Sequence, residues 1–342
     1  NPQATIDDGS CGYSCVNRGW AQNLTNYTNN TRFKVLDDGV LVGLDRIESP
    51  VSFLNNNIPS QSADFYFGLA SIASNGTLNW LIYPENIVCN GSPSKALEIV
   101  DDIQINSQNE IYVLIETSVN FSIGSINASV ANCSPDGHIM LLKLDSLGNA
   151  LYAQEISGNY GWYSKLNMDK NDNVYISGFT DGVFSYLNHT INPSWWNGSF
   201  LQKLDQNNNH VFTRYFTPSY GNIEGCFSFN NSVFVSKNAS GIFYIYDGFN
   251  YTDTINVSGD AILKFSSSGD LLGYFDNSVV KAPNEFFSNH LLNITGDTIF
   301  ELDTVNLSVI GTHIYPGLSD VQIEDDKMII SLDSTMLIVD TN

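Results

Sequence analysis

Two kinds of apolar hairpin alternate along the 342 residues, one of them recurs at intervals of 72, 60 and 61 residues, and no stretch sustains a 3.6-residue period. Together these features predict an all-β chain, a β-propeller of about six four-stranded blades, with five or seven as the alternatives. The propeller is placed at residues 31–342, and residues 1–30 read as a short N-terminal arm.

The recurring hairpin occupies Phe67 to Trp80, Ile139 to Tyr152, Phe200 to Phe212 and Ala261 to Tyr274, aligned on Ser71, Lys143, Lys203 and Lys264. Between its copies lies a second hairpin: Phe33 to Leu44, Ile103 to Ile115, Leu166 to Gly178, Phe227 to Ser236, Leu291 to Leu302 and Val321 to Leu332. Each is an apolar strand, a polar turn of two to five residues and another apolar strand. Two hairpins per repeat make four strands, and such units bury both faces only by stacking on one another. The chain ends in a strand-like run, Met336 to Asp340. Its partner would be the N-terminal segment or a strand of a neighbouring molecule.

Composition narrows the function classes. Only 15% of residues are charged, and 36 Asp and Glu stand against 14 Lys and Arg, a net charge of −22. Fourteen cations supply no phosphate-binding patch, so no nucleic-acid partner is expected. Aromatic residues make up 12% of the chain, enough for a core and contrary to disorder. No run approaches the ~18 apolar residues of a membrane helix. The chain starts at Asn without a basic, then apolar leader, as expected of a mature secreted protein.

Sequons agree with an extracellular, cell-surface location. The N-x-S/T pattern occurs at Asn23, Asn26, Asn29, Asn75, Asn90, Asn120, Asn127, Asn132, Asn188, Asn197, Asn230, Asn238, Asn250, Asn256, Asn293 and Asn306. Composition alone would produce roughly 7, so N-linked glycans are expected as covalent partners. The alternative is that Asn- and Ser-rich turns generate sequons without sugar. Asp145-Ser146-Leu147, Asp253-Thr254-Ile255, Asp297-Thr298-Ile299 and Asp303-Thr304-Val305 also resemble an acceptor for bacterial O-glycosylation. Of five cysteines, Cys11, Cys15, Cys89 and Cys133 are disulfide candidates, and Cys226 falls in an expected strand.

Two resemblances sharpen this reading. KLDSLGNALY and LNMDKNDNVYISGFT, within residues 139–180, resemble the bacterial β-propeller repeat of secreted and cell-surface proteins, with its "K-L-[ND]-x-x-G-N" and "D-x-x-G-N-[VI]-Y-[VI]-x-G" signatures. The match is moderate over residues 64–117 and 199–276 and poor after 285. This resemblance implies a fold and a surface location, with no particular chemistry. The opening NPQATIDDGSCGY is similar to the "N-P-x-A-x-x-D-D-G-S-C-x-Y" module of surface proteins of aquatic microbes. It implies an extracellular protein of an aquatic organism, and the arm together with the unpaired terminal strand suggests self-association by strand exchange or an arm-to-body contact.

Candidate chemistry is sparse. His138, His189, His210, His290 and His313 have no partner spacing and read as surface or turn residues, and no zinc cluster, nucleophile elbow or P-loop occurs. Asp169 to Asn173 and Asp205 to Asn209 satisfy D-x-N-x-N, so calcium is the one cofactor alternative to turn chemistry, although the later ligands of a calcium loop are missing. Asp37-Asp38, Asp101-Asp102 and Asp325-Asp326 are carboxylate pairs, with Glu48, Glu224 or Glu285 as acids for a polysaccharide hydrolase or lyase. Neighbours on a regular strand face opposite ways, so none forms a catalytic dyad by itself. Trp162, Trp195 and Trp196 in inter-blade connections are candidates for glycan or subunit contacts. The leading expectation is a non-catalytic structural subunit of a surface layer or filament, with a carbohydrate-binding or adhesion propeller next and an enzyme third.

Overall fold

The computed structural model describes residues 66–88, 98–130, 137–156, 161–181, 197–217 and 260–277 without a break and, elsewhere, the strands given below. The arm and Cys11, Cys15, Cys89 and Cys133 lie outside the described residues. Every regular element among the described residues is a strand. The chain folds as a β-propeller, as the strand order makes plain.

The first sheet begins with β1 (Arg32–Leu36) and β2 (Gly39–Ile47). A small hairpin of β3 (Val51–Phe53) and β4 (Asn56–Ile58) follows, and then β5 (Tyr66–Ala73) and β6 (Leu78–Ile82) complete the order β1-β2-β5-β6. After β7 (Glu85–Val88), the second sheet is formed by β8 (Glu98–Ile105) and β9 (Ile111–Thr117), an inserted hairpin of β10 (Asn120–Ile123) and β11 (Ile126–Ala128), then β12 (His138–Leu144) and β13 (Ala150–Glu155). The third has β14 (Gly161–Met168) and β15 (Val174–Asp181), inserted β16 (Phe184–Tyr186) and β17 (His189–Ile191), then β18 (Asn197–Leu204) and β19 (His210–Thr217). In the fourth, β20 (Ile223–Phe229) and β21 (Ser232–Lys237) precede inserted β22 (Gly241–Asp247) and β23 (Asn250–Val257), with β24 (Asp260–Ser266) and β25 (Leu271–Asn277) closing the sheet.

The fifth sheet is β26 (Glu285–Phe287), β27 (His290–Thr295), β28 (Thr298–Asp303) and β29 (Val309–Ile314), paired in chain order. A three-stranded sheet of β30 (Leu318–Glu324), β31 (Lys327–Leu332) and β32 (Thr335–Asp340) ends the described chain. All these pairings are antiparallel. First strands touch in succession, β8 on β14, β14 on β20, β20 on β26 and β26 on β30, which makes them the inner strands of successive blades.

The core lies between sheets. Along β9, Val113 and Ile115 pack with the first sheet while Tyr112 and Leu114 pack with the third. A strand buried on both faces needs no polar alternation, which is why Ile111 to Ile115 is an unbroken apolar run. Tyr175, Leu201 and Phe216 repeat the arrangement against Val233, Val235 and Phe265 of the fourth sheet.

One hairpin assignment shifts. Leu291 to Leu302, expected as a copy of the second hairpin, is β27–β28, the second and third strands of its sheet, whereas the copies at Ile103 to Ile115 and Leu166 to Gly178 are the first and second strands of theirs. Only Gly296 and Asp297 separate them, where the first four sheets carry long insertions between the second and third strands. A short link there is indistinguishable in sequence from a first-hairpin turn.

Candidate functional site

In an up-and-down sheet the first-to-second and third-to-fourth turns lie at one end, and the insertions and sheet-to-sheet connections at the other. Among the described residues, one turn device is used six times at the turn end. In the turns starting at Ala73, Asn106, Asp145, Asp169, Asp205 and Ser266, the first N–H donates to the fifth carbonyl and the fourth N–H to the first carbonyl. The fourth residue, Gly76, Asn109, Gly148, Asp172, Asn208 or Gly269, has positive φ, which Gly, Asn and Asp adopt most readily. Asp145, Asp169 and Asp205 each accept two backbone N–H bonds on Oδ1 and the fifth residue's Asn amide on Oδ2. The "[ND]-x-x-G-N" signature is therefore turn chemistry. Asp169 also receives the Tyr175 hydroxyl at 3.0 Å. The first Asp of each D-x-N-x-N stretch thus caps its own turn, Asp172 accepts the Ser107 N–H of the neighbouring sheet's turn at 2.9 Å, and no group of three or more metal-ligating side chains occurs among the described residues.

The rest of the repeat signature is equally structural. Lys143, Lys203 and Lys264 pair across strands with Tyr112, Tyr175 and Phe234, and each ammonium lies over its partner ring at 5.1–5.6 Å. Lys143 also meets Glu110 at 2.7 Å, and Lys203 donates to Ser267 O in the next sheet. Ser71, facing Leu41, is the first sheet's departure from this rule.

The main cluster of buried acidic groups lies on the inner strands. The pairing of β8 with β9 passes from Val100–Ile115 to Asp102–Leu114, so Asp101 is the extra residue of a β-bulge. The bulge overturns the expectation that Asp101 and Asp102 face opposite ways, because it breaks the alternation at that point. Both carboxylates reach β14. Asp101 Oδ2 accepts the Ser164 N–H at 3.1 Å and its hydroxyl at 2.5 Å, and Asp102 Oδ2 accepts the Leu166 N–H at 2.9 Å. One sheet further, Asn167 Oδ1 accepts the Ser228 N–H at 3.0 Å.

The physical reason is common to all three. The inner strand of each sheet has one unpaired edge, and alternate N–H groups along it need acceptors. Side chains of the preceding sheet supply them. Burial pushes the Asp101 and Asp102 carboxyls up, and their hydrogen bonds and the charges of Lys165 and Arg32 offset part of that rise.

Cys226, at the same seam, is buried and free. Burial pushes its thiol up to about 12, the Ser177 hydroxyl works against this, and the Asp102 charge adds to it. Alkylation by iodoacetamide at pH 8 is therefore expected to spare Cys226 in the folded protein and to modify it in urea, with peptide mass spectrometry as the readout. Modification of the folded protein at the urea rate would contradict the burial.

At the connection end, Trp162 does not lie in a loop. It opens strand β14, opposite Phe179 on β15, which in turn pairs with Ser199 on β18. Trp195 and Trp196 lie outside the described residues, immediately before β18. His138 departs from the expected surface position: it is buried at the start of β12, with Nδ1 2.7 Å from Glu155 Oε1. A carboxylate partner is what makes a buried imidazole tolerable. His210 bonds Thr213 at 2.9 Å, and His189, His290 and His313 fall on β17, β27 and β29.

Of the sequon residues, Asn75 is exposed in a turn, and Asn127 and Asn256 are exposed on β11 and β23. Asn120 is half-buried and its Oδ1 accepts the Val130 N–H at 2.8 Å. Asn197, Asn250 and Asn293 fall on strands β18, β23 and β27. Asn23, Asn26, Asn29, Asn90, Asn132, Asn188, Asn230, Asn238 and Asn306 lie outside the described residues, as do Asp37-Asp38, Asp325-Asp326 and Glu48. Glu224 and Glu285 fall on β20 and β26.

No model of a known family matches the chain, and no curated protein does either. Among solved structures, the chain is similar to BamB from Moraxella catarrhalis at 12% identity and a TM-score of 0.40, over 90% of this chain and 95% of that one. It is also similar to the quinohemoprotein alcohol dehydrogenase from Comamonas testosteroni, at 11% identity and a TM-score of 0.44, over 92% of this chain and 58% of that one. Drosophila Plexin A, solved in complex with Semaphorin 1b, gives 10% identity and a TM-score of 0.33 over 94% of this chain and 86% of that one. No activity or partner is taken from these likenesses, and the propeller architecture stands on strand order.

Proposed function

We propose that the chain is a non-catalytic, extracellular and glycosylated subunit of a cell-surface layer or filament, a propeller of about six blades joined to its neighbours through the arm of residues 1–30. The observation that carries this reading is where the polar repeat residues go. Lysines cover aromatic rings, Asp and Asn close turns, and the inner carboxylates satisfy the edge of the next sheet. The residues that recur most regularly hold the molecule together, as in a building block. Deleting residues 1–30 is expected to leave folded monomers that no longer assemble, as seen by electron microscopy. Arrays formed by the truncated protein would overturn the proposal.

A second reading, a carbohydrate-binding or adhesion propeller, rests on Trp162 near the start of β14 and on Trp195 and Trp196, which precede β18 in the sequence. It expects saturable binding on a glycan array that is lost in Trp195→Ala. The third, a polysaccharide hydrolase or lyase, would need a carboxylate that reaches substrate, whereas Asp101 and Asp102 are both turned to the neighbouring strand.

A further inference from the structure

Two inserted hairpins extend the sheets beyond their own blades. β10–β11, from the second sheet, pairs through β10 with β7 and packs on β13. β22–β23, from the fourth sheet, pairs through β22 with β19 of the third and packs on β25. β22–β23 therefore lies across the outer strands of two adjacent sheets, β10–β11 lies between β7 and the outer strand β13, and among the described strands each hairpin's last strand, β11 or β23, is an edge. Neither hairpin strand pair contains a Lys, Arg or Pro, the residues that most often prevent an edge from pairing with another chain.

The outer face of β22 is also apolar. Ile242 is 49% exposed and Tyr244 37%, with Leu272 and Tyr274 exposed on β25. Directly opposite Ile242 stands Asn256, and opposite Tyr244 stands Thr254. Directly opposed side chains of an antiparallel pair have Cβ atoms about 4.5–5.5 Å apart. Asn256 is exposed and begins the sequon Asn256-Val257-Ser258. On β11, Asn127 is likewise exposed and begins Asn127-Ala128-Ser129. Both edges thus carry an outward sequon asparagine.

We propose that Asn256 is N-glycosylated and that its oligosaccharide covers the Ile242–Tyr244 face and keeps edge β23 from pairing with a second copy of the chain, Asn127 serving β11 in the same way. The donor class is an oligosaccharide linked to a polyprenol pyrophosphate. The Asn256 amide nitrogen attacks the anomeric carbon, an N–C bond forms, the C–O bond to the pyrophosphate breaks, the amide gives up one proton and the lipid pyrophosphate leaves. The product adds a bulky, hydrated group where the chain has few charges to spend. This inference rests on the proposed function only for the presence of sugar, and not for assembly through the arm.

The test uses the full-length secreted protein. Glycopeptide mass spectrometry is expected to find Asn256 occupied, and an amide-cleaving glycosidase should convert it to Asp. Asn256→Gln and Ser258→Ala, which remove the sequon in different ways, are expected to self-associate in sedimentation velocity at roughly tenfold lower protein concentration than wild type. Asn75→Gln, at a turn, should not. Adding Ile242→Lys to Asn256→Gln should restore the wild-type distribution. An unmodified Asn256 in the native protein, or sequon variants that sediment like wild type, would overturn the inference. Arm-dependent assembly acts on wild type and sequon variants alike, so the occupancy of Asn256 and the difference between those proteins test this inference, whereas deletion of residues 1–30 tests the other.

Discussion

Asp101→Ala is expected to lower the unfolding free energy by about 3–5 kcal/mol, measured by urea denaturation, because the change strands two buried donors, the Ser164 N–H and hydroxyl. Asp102, the other acceptor on that inner edge, is already engaged by the Leu166 N–H. Asp101→Asn keeps an acceptor of the same shape and should cost less. It also isolates the titration. Since the folded-state pKa of Asp101 lies above its unfolded value, its contribution to stability is complete below the unfolded carboxylate pKa and is lost as pH rises through the folded one. The advantage of wild type over Asp101→Asn should therefore be greatest in acid and shrink toward neutral pH. A constant difference across pH would mean that Asp101 does not titrate in this way.

Gly198→Ala should cost a further large amount, about 3 kcal/mol or more, from overpacking. A Cβ at Gly198 would lie 2.2 Å from two carbons of the Tyr215 ring. That ring is fully buried within the core between the second and third sheets and its hydroxyl faces Thr180 O at 3.5 Å, so it has nowhere to retreat. Gly198 pairs with Thr180 in mid-sheet, and a shift of β18 would disturb both of its ladders. Thermal unfolding of Gly198→Ala beside Tyr215→Phe separates crowding from the hydroxyl contact: only the glycine variant should fall steeply. The double variant Gly198→Ala with Tyr215→Ala should recover part of the loss, since the ring is what the methyl group meets.

The fold was legible where one local rule repeats. Lys143 and Lys203 mark equivalent strands of the repeat, Asp145 and Asn149 mark the turn after the first of them, and the structure puts each lysine opposite an aromatic residue and each turn residue in its turn. The seams were not legible. Asp101 and Asp102 stand next to each other in sequence, and the bulge that turns both toward β14 depends on the third sheet being in place. The docking of β22 on β19 is likewise a contact between blades, set by Tyr215 opposite Tyr246 and Phe216 opposite Ile245, with no signal inside either strand. His138 shows the same rule on a smaller scale, because only the folded sheet brings Glu155 to it.

The borrowed hairpins also set an order of events during synthesis. When the ribosome has delivered β19, the strand that will cover its outer edge is still about two dozen residues away, and at ~5–20 residues per second that is on the order of seconds. The third blade must wait with its edge open until part of the fourth has been made. A nascent chain stalled after Thr217 should thus expose a sticky strand that the finished protein hides, and the natural unit of cooperative folding here is a pair of blades, not one.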